Sequence, residues 1–252
     1  MKTHLKFEQL VGKRMLGIAS SNDYSDWAES LLYDGVDSQN VAILTGLGMD
    51  KYPDSAEVER YFLKCIKELG LILPSKENGI KCYAKYLCNQ IISEEIKPEK
   101  GLSILESLFS HSDYEPIFCI WDELSDDVWQ VNNQEGAIFN SGITSENIPN
   151  YIKKVAQQFL TLIEIELPKA FFQMSLCSKC GFLGESISKR TEITWLPDSL
   201  YRLFFRKHPT YRSFCSKCGE SRLAQMWDYN GREKYLNLCV NGHLYNVSSS
   251  QT

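Results

Sequence analysis

A chain of 252 residues, 43% of them hydrophobic, is long enough to bury one large core or two modest ones, and two is the working number. Its opening residues, Met1 to Glu8, carry charge where a secretory signal needs an apolar run. No stretch approaches the roughly 18 uninterrupted apolar residues of a membrane span, so a soluble, cytoplasmic protein with no membrane partner is expected.

The first two thirds read as helices. Short ones are expected at about 6–19, 25–34 and 39–45, separated by punctuation such as Tyr33-Asp34-Gly35 and Gly46-Leu47-Gly48. Between Asp54 and Gly70, the residues Val58, Tyr61, Phe62, Cys65, Ile66 and Leu69 recur at spacings of three and four and form one core-facing stripe. Ser75 opens a second helix with a stripe of Ile80, Tyr83, Ala84, Leu87, Cys88, Ile91 and Ile92, so the pair reads as an antiparallel helical hairpin. Helices follow at about 99–109 and 115–124, and a long one runs from Pro149 to about Ile165. Pro168 ends it, and the domain boundary is placed there. These helices, with Leu73-Pro74-Ser75 inside the pair, resemble helical segments found in uncharacterised bacterial proteins; the resemblance implies a helical fold and no particular activity.

Charge divides the chain at the same place. Residues 1–167 hold 15 Lys and Arg against 26 Asp and Glu, whereas residues 168–252 hold 12 against 6. An acidic helical domain, 1–167, is thus joined to a basic one, 168–252, and either half could attract its own partner. In the second domain the helical period is lost. Runs at Glu192–Leu196, Leu223–Trp227 and Lys234–Leu238 fit short strands, and Asn230-Gly231 is a hairpin signal between the last two. The expected class is α+β: an all-helical N-terminal domain followed by a small metal-stapled β domain.

Nine cysteines is an odd number in a chain without an export signal, which argues for reduced thiols. Cys65, Cys82, Cys88 and Cys119 are scattered through helical patterns. The pentapeptide Cys-Ser-Lys-Cys-Gly, by contrast, occurs twice, at Cys177–Gly181 and Cys215–Gly219, with 34 residues between Cys180 and Cys215. A C-x-x-C turn aims two sulfurs at one point, and two such turns supply the tetrahedral sulfur set that zinc prefers. The pattern resembles the zinc-ribbon superfamily, and the resemblance implies knuckles at hairpin tips around one structural zinc. A second grouping uses Cys215, Cys218, Cys239 and His243, and resembles the zinc ribbons at the front of some ribosomal-RNA methyltransferases. It leaves a whole C-x-x-C unused, whereas the four-cysteine set leaves only Cys239 and His243 over; two metals would use both. Because four cysteines close the coordination sphere, the expected role is structural.

Between the knuckles, Arg202, Arg206, Lys207 and Arg212 alternate with Tyr201, Phe204, Phe205 and Tyr211. Cations for phosphates and aromatic faces for bases make this the nucleic-acid candidate. The plainer reading is an amphipathic helix with Leu203, Phe204 and Phe205 packed inward. The four carboxylates of Trp121–Trp129 lack the spacing of a calcium loop and read as a solvated acidic face. His4, His111 and His208 have no partner at ligand spacing. The sequence contains no phosphate loop, HExxH or Gly-x-Ser-x-Gly elbow. The functional expectation is a non-catalytic zinc-binding adaptor with a protein partner, in an immunity-type or regulatory role; the alternative is nucleic-acid binding by the basic aromatic segment.

Overall fold

Local capping chemistry sets the helix starts. The computed structural model describes residues 2–50 and 52–240, with side chains from Phe7 onward. The helices are α1 (Lys2–Met15), α2 (Ser21–Tyr33), α3 (Gln39–Leu47), α4 (Ser55–Glu68), α5 (Lys76–Ile92), α6 (Pro98–His111), α7 (Cys119–Asn132) and α8 (Ile148–Leu162). Ser20 and Asp23 form a reciprocal capping box on α2, while Ser38, Asp54 and Ser75 each accept a backbone N–H at the start of α3, α4 and α5. Gly70 takes the left-handed φ of +62° after α4.

The chain forms two compact units, residues 1–122 and 123–252, dividing within α7. By sequence the first carries a net charge of −6 and the second +1, so the acidic stretch up to Glu166 is shared between them. The first unit is a helical core in which Trp27, Val41, Leu44 and Phe62 are essentially fully buried. The rings of Tyr24 and Trp27 meet Phe62 edge-on at 5.0 and 5.4 Å. The expected α4–α5 hairpin is not how these helices pair: α4 packs on α3 and α2, and α5 packs on α1 and α6. Gly12 of α1 is one reason, since a Cβ there would lie 2.2 Å from Cβ of Tyr83 on α5. The missing side chain lets the two helices approach closely.

In the second unit, α8 is followed by a short 3₁₀ turn (Phe171–Gln173) and by β1 (Ser175–Cys177), β2 (Leu183–Gly184), β3 (Ser186–Arg190), α9 (Asp198–Phe205), β4 (Tyr211–Cys215), β5 (Leu223–Gln225) and α10 (Tyr229–Val240). One antiparallel sheet has the order β2-β1-β5; β3 and β4 form a separate antiparallel pair. The α+β class holds.

Two of the three expected strands are corrected. Residues 192–196 form bends and turns rather than a strand, and Lys234–Leu238 lies inside α10. Asn230-Gly231 is accordingly no hairpin but part of the first turn of α10, where Gly231 is pressed so closely on the Gln225 carbonyl that a Cβ would fall 1.8 Å from its oxygen. Tertiary anchors override the local signal: Tyr235 packs on Phe171 with ring centroids 4.9 Å apart, and Arg232 is fully buried. Its guanidinium donates to Gln158 Oε1 (2.7 Å) of α8, to Asn140 Oδ1 (3.1 Å) and to the carbonyls of Met226 and Trp227. Asn140 in turn donates to buried Asp127.

Candidate metal centre and the arm between its knuckles

The duplicated pentapeptide folds the same way twice. Cys177 N–H donates to the Phe182 carbonyl and Cys215 N–H to the Glu220 carbonyl, five residues on in each case; Gly181 and Gly219 each donate back to the carbonyl of the first cysteine. Both glycines hold positive φ, +66° and +73°, with nothing within 4 Å of an added Cβ. Glycine is required here by backbone conformation, not by space. The first knuckle joins β1 to β2 and the second joins β4 to β5, and the β1–β5 ladder (Cys177 opposite Leu223) brings them together.

All four sulfurs lie within 4.8 Å of one another. Cys177 Sγ is 3.6 Å from Cys218 Sγ, and Cys180 Sγ is 3.7 Å from Cys215 Sγ. These distances are far beyond a disulfide bond. A tetrahedron with metal–sulfur bonds of about 2.3 Å has sulfur–sulfur edges of about 3.8 Å, close to the two shortest distances here, so the group is compatible with a metal ion of zinc's size. Desolvation works to raise the Cys177 thiol, but the N–H groups of Cys180 and Lys179, with the Cys218 and Cys180 thiols, outweigh it and bring it down to about 7. At Cys218 the Glu220 N–H works to lower the thiol, yet desolvation and the other three cysteines leave it raised to about 12. A cation bound by these thiols would displace their protons.

Cys239 sits on α10 and is not a member of this group; His243 lies outside the described residues. No protein-family model matches the chain, and no curated protein or solved structure matches it. The geometry of the second unit therefore carries the functional argument.

After β2, residues 186–215 form an arm of β3, α9 and β4 between the knuckles. Their ladder runs from Ser186 opposite Cys215 to Arg190 opposite Tyr211. Arg190 holds the arm together: its guanidinium lies 4.5 Å from the Tyr201 ring centroid, pairs with Asp198 at 3.1 Å and donates to the Leu196 carbonyl. Tyr201 donates its hydroxyl to Glu192, and Tyr211 donates to Asp198. The carboxylates of α9 and its approach are thus used internally.

Several sequence expectations change here. Tyr201 is 2% exposed, so its ring is unable to stack on a base. Arg202, Arg206, Lys207, Arg212 and Tyr211 are on the surface, Lys207 standing 3.9 Å from Glu192. The helix is real, but its packing is the reverse of the plain reading. Leu203 is 71% and Phe204 68% exposed, and Phe205 is also open to solvent. With Leu200, the outward residues Leu203 and Phe204 fall at i, i+3 and i+4, a second apolar face beside the buried Tyr201. Trp195, which sequence reading placed in a strand, precedes them and is 81% exposed. A helix with apolar residues on two faces is the signal that could have found this surface.

Two other candidates resolve simply. Asp127 of the supposed acidic face is fully buried and accepts N–H groups from Ile138, Phe139 and Asn140, where it pins a loop. His111 Nδ1 bonds the Ser107 carbonyl within α6, and His208 is exposed; the His4 side chain lies outside the described residues.

Proposed function

We propose that this chain is a non-catalytic binding module whose second unit is held by one structural zinc ion on Cys177, Cys180, Cys215 and Cys218. The convergence of four sulfurs within 4.8 Å of one another, two pairs of them at 3.6 and 3.7 Å, carries this reading. Four protein ligands leave no position for a water or substrate, so the ion would cross-link the sheet and the base of the arm instead of activating a reactant. The test is elemental analysis of purified wild-type, Cys177→Ser and Cys239→Ser chains. One zinc per chain, lost with Cys177 and kept without Cys239, is expected; the reverse pattern would move the site to the Cys239–His243 grouping.

The arm is the binding surface in this proposal. A protein partner suits it best, because Leu200, Leu203 and Phe204 follow the spacing with which a helix enters an apolar groove, and Arg202 and Arg206 would meet an acidic rim. Single-stranded nucleic acid is the second reading, favoured by the exposed faces of Trp195 and Phe204 next to those arginines. A salt titration with an oligonucleotide separates the two. Binding that falls steeply with salt and weakens in Arg206→Ala/Lys207→Ala would select nucleic acid. No binding at low salt, with a co-purifying protein lost in Leu203→Asp/Phe204→Asp at full zinc content, would select the protein partner.

A further inference from the structure

A cavity of about 770 Å³ opens beside the cysteine cluster. Its wall brings together three lysines from three segments: Lys179 from the first knuckle, Lys217 from the second and Lys234 from α10. Asn237 and Leu238 share the cavity-facing side of α10 with Lys234, at i+3 and i+4, and Leu176 of β1 adds a buried apolar surface. No Asp or Glu is among the described residues that line it.

Charge counting gives this arrangement a direction. A zinc ion closed by four thiolates carries a net charge of −2. Lys179 and Lys217 occupy the same third position of the two pentapeptides, and their two charges offset it in number. Lys234 belongs to neither knuckle, yet it reaches the same space, so the cavity stays positive when the centre is loaded. Ammonium groups act as point charges well suited to phosphate oxygens, and an amide side chain adds a directional donor. A strand of nucleic acid spreads single charges along its backbone, whereas a terminal phosphate gathers about two charges on one group. Three lysines lining one cavity match the second distribution. The volume falls in the range of small-molecule sites.

We propose that this cavity binds a phosphorylated small molecule, with Lys179, Lys217 and Lys234 on the phosphate and Leu176 and Leu238 against its organic part. The charge balance rests on the zinc reading above.

Calorimetric titration of the zinc-loaded full chain with pyrophosphate, adenosine triphosphate and a ten-nucleotide single strand tests this, with zinc per chain measured on every sample. Saturable binding of the triphosphate, tighter than that of the strand, is expected. It should weaken about tenfold or more in Lys234→Gln and stay unchanged in Lys207→Gln on the arm. Failure of both pyrophosphate and triphosphate to bind at low salt would overturn the proposal. So would equal affinity in Lys234→Gln, or loss of zinc from that variant, which would make Lys234 a support of the metal centre. Tighter binding of the strand, weakened by Lys207→Gln, would overturn it in favour of a nucleic-acid surface. A chain without zinc that still binds triphosphate through Lys234 would sink the metal reading and leave this one standing.

Discussion

The helical unit of residues 1–122 and the knuckle region of residues 175–225 are held by different means. In the first, side chains from every helix, including Leu10, Trp27, Leu44, Phe62, Ile91 and Leu105, bury almost completely, and removal of apolar area from water accounts for their order. In the second, strands are two to five residues long, β3 exposes three of its five residues, and the buried hydrophobic set is Leu176, Cys177, Leu183, Leu196, Tyr201 and Cys215. So small an apolar set offsets little of the conformational entropy of ordering those strands, and the proposed metal cross-link would act there and not in the helices.

The strongest test of that contrast removes each support in turn. Chelation, or Cys215→Ser, is expected to strip amide hydrogen-exchange protection from residues 175–225 while α2, α3 and α4 keep theirs; structural zinc sites of this type supply most of the folding free energy of small domains. Phe62→Ala should do the converse, lowering the stability of the helical unit by about 3–5 kcal/mol with zinc content unchanged. Protection lost together in both regions on chelation would show that the contrast is wrong.

A comparable loss is expected inside the second unit from a residue far from the thiols. Arg232→Met would leave Gln158 Oε1, Asn140 Oδ1 and the Met226 and Trp227 carbonyls without their charged donor in a site closed to water. The cost should be about 3 kcal/mol or more, read as a fall in the unfolding midpoint with denaturant. A midpoint within experimental error of wild type would mean that the α8–α10 packing stands on its apolar contacts alone.

Arg232 also marks where sequence reading ends. The stripes of α4 and α5 and the helix starts at Asp54 and Ser75 were legible because they are local, repeating at three and four residues or acting across one turn. The cysteine quartet was legible because a duplicated five-residue motif brings its own geometry. What stayed hidden depends on distant partners. Asn230-Gly231 carries a hairpin signal, yet Tyr235 against Phe171 and Arg232 against Gln158 make the segment a helix. The α1–α5 pairing depends on Gly12 meeting Tyr83, 71 positions away, and the exposure of Leu203 and Phe204 follows from Tyr201 turning inward to Arg190. None of these leaves a periodic trace.

The smallest expected effect separates the two regions by their response to acid. Thiolate ligands must be deprotonated to hold a metal, so an ion held as proposed by the knuckle cysteines should be released as pH falls, well before α2, α3 and α4 respond. In the helical unit one responsive group is Asp23. Desolvation works to raise its carboxyl, but the Lys13 ammonium and the Ser20 N–H and hydroxyl outweigh that and hold it below the ordinary value of 3.8. A carboxyl depressed in the folded state adds stability that is present above its unfolded pKa and is lost as pH falls through the folded one. Because the pair is partly exposed, the contribution should stay under about 1 kcal/mol. Urea titrations of wild type and Asp23→Asn should therefore differ slightly at pH 7 and converge below about pH 4. A difference that stayed constant into strong acid would assign the effect to the uncharged capping geometry of α2, and the helical unit would then owe nothing to ionisation at Asp23.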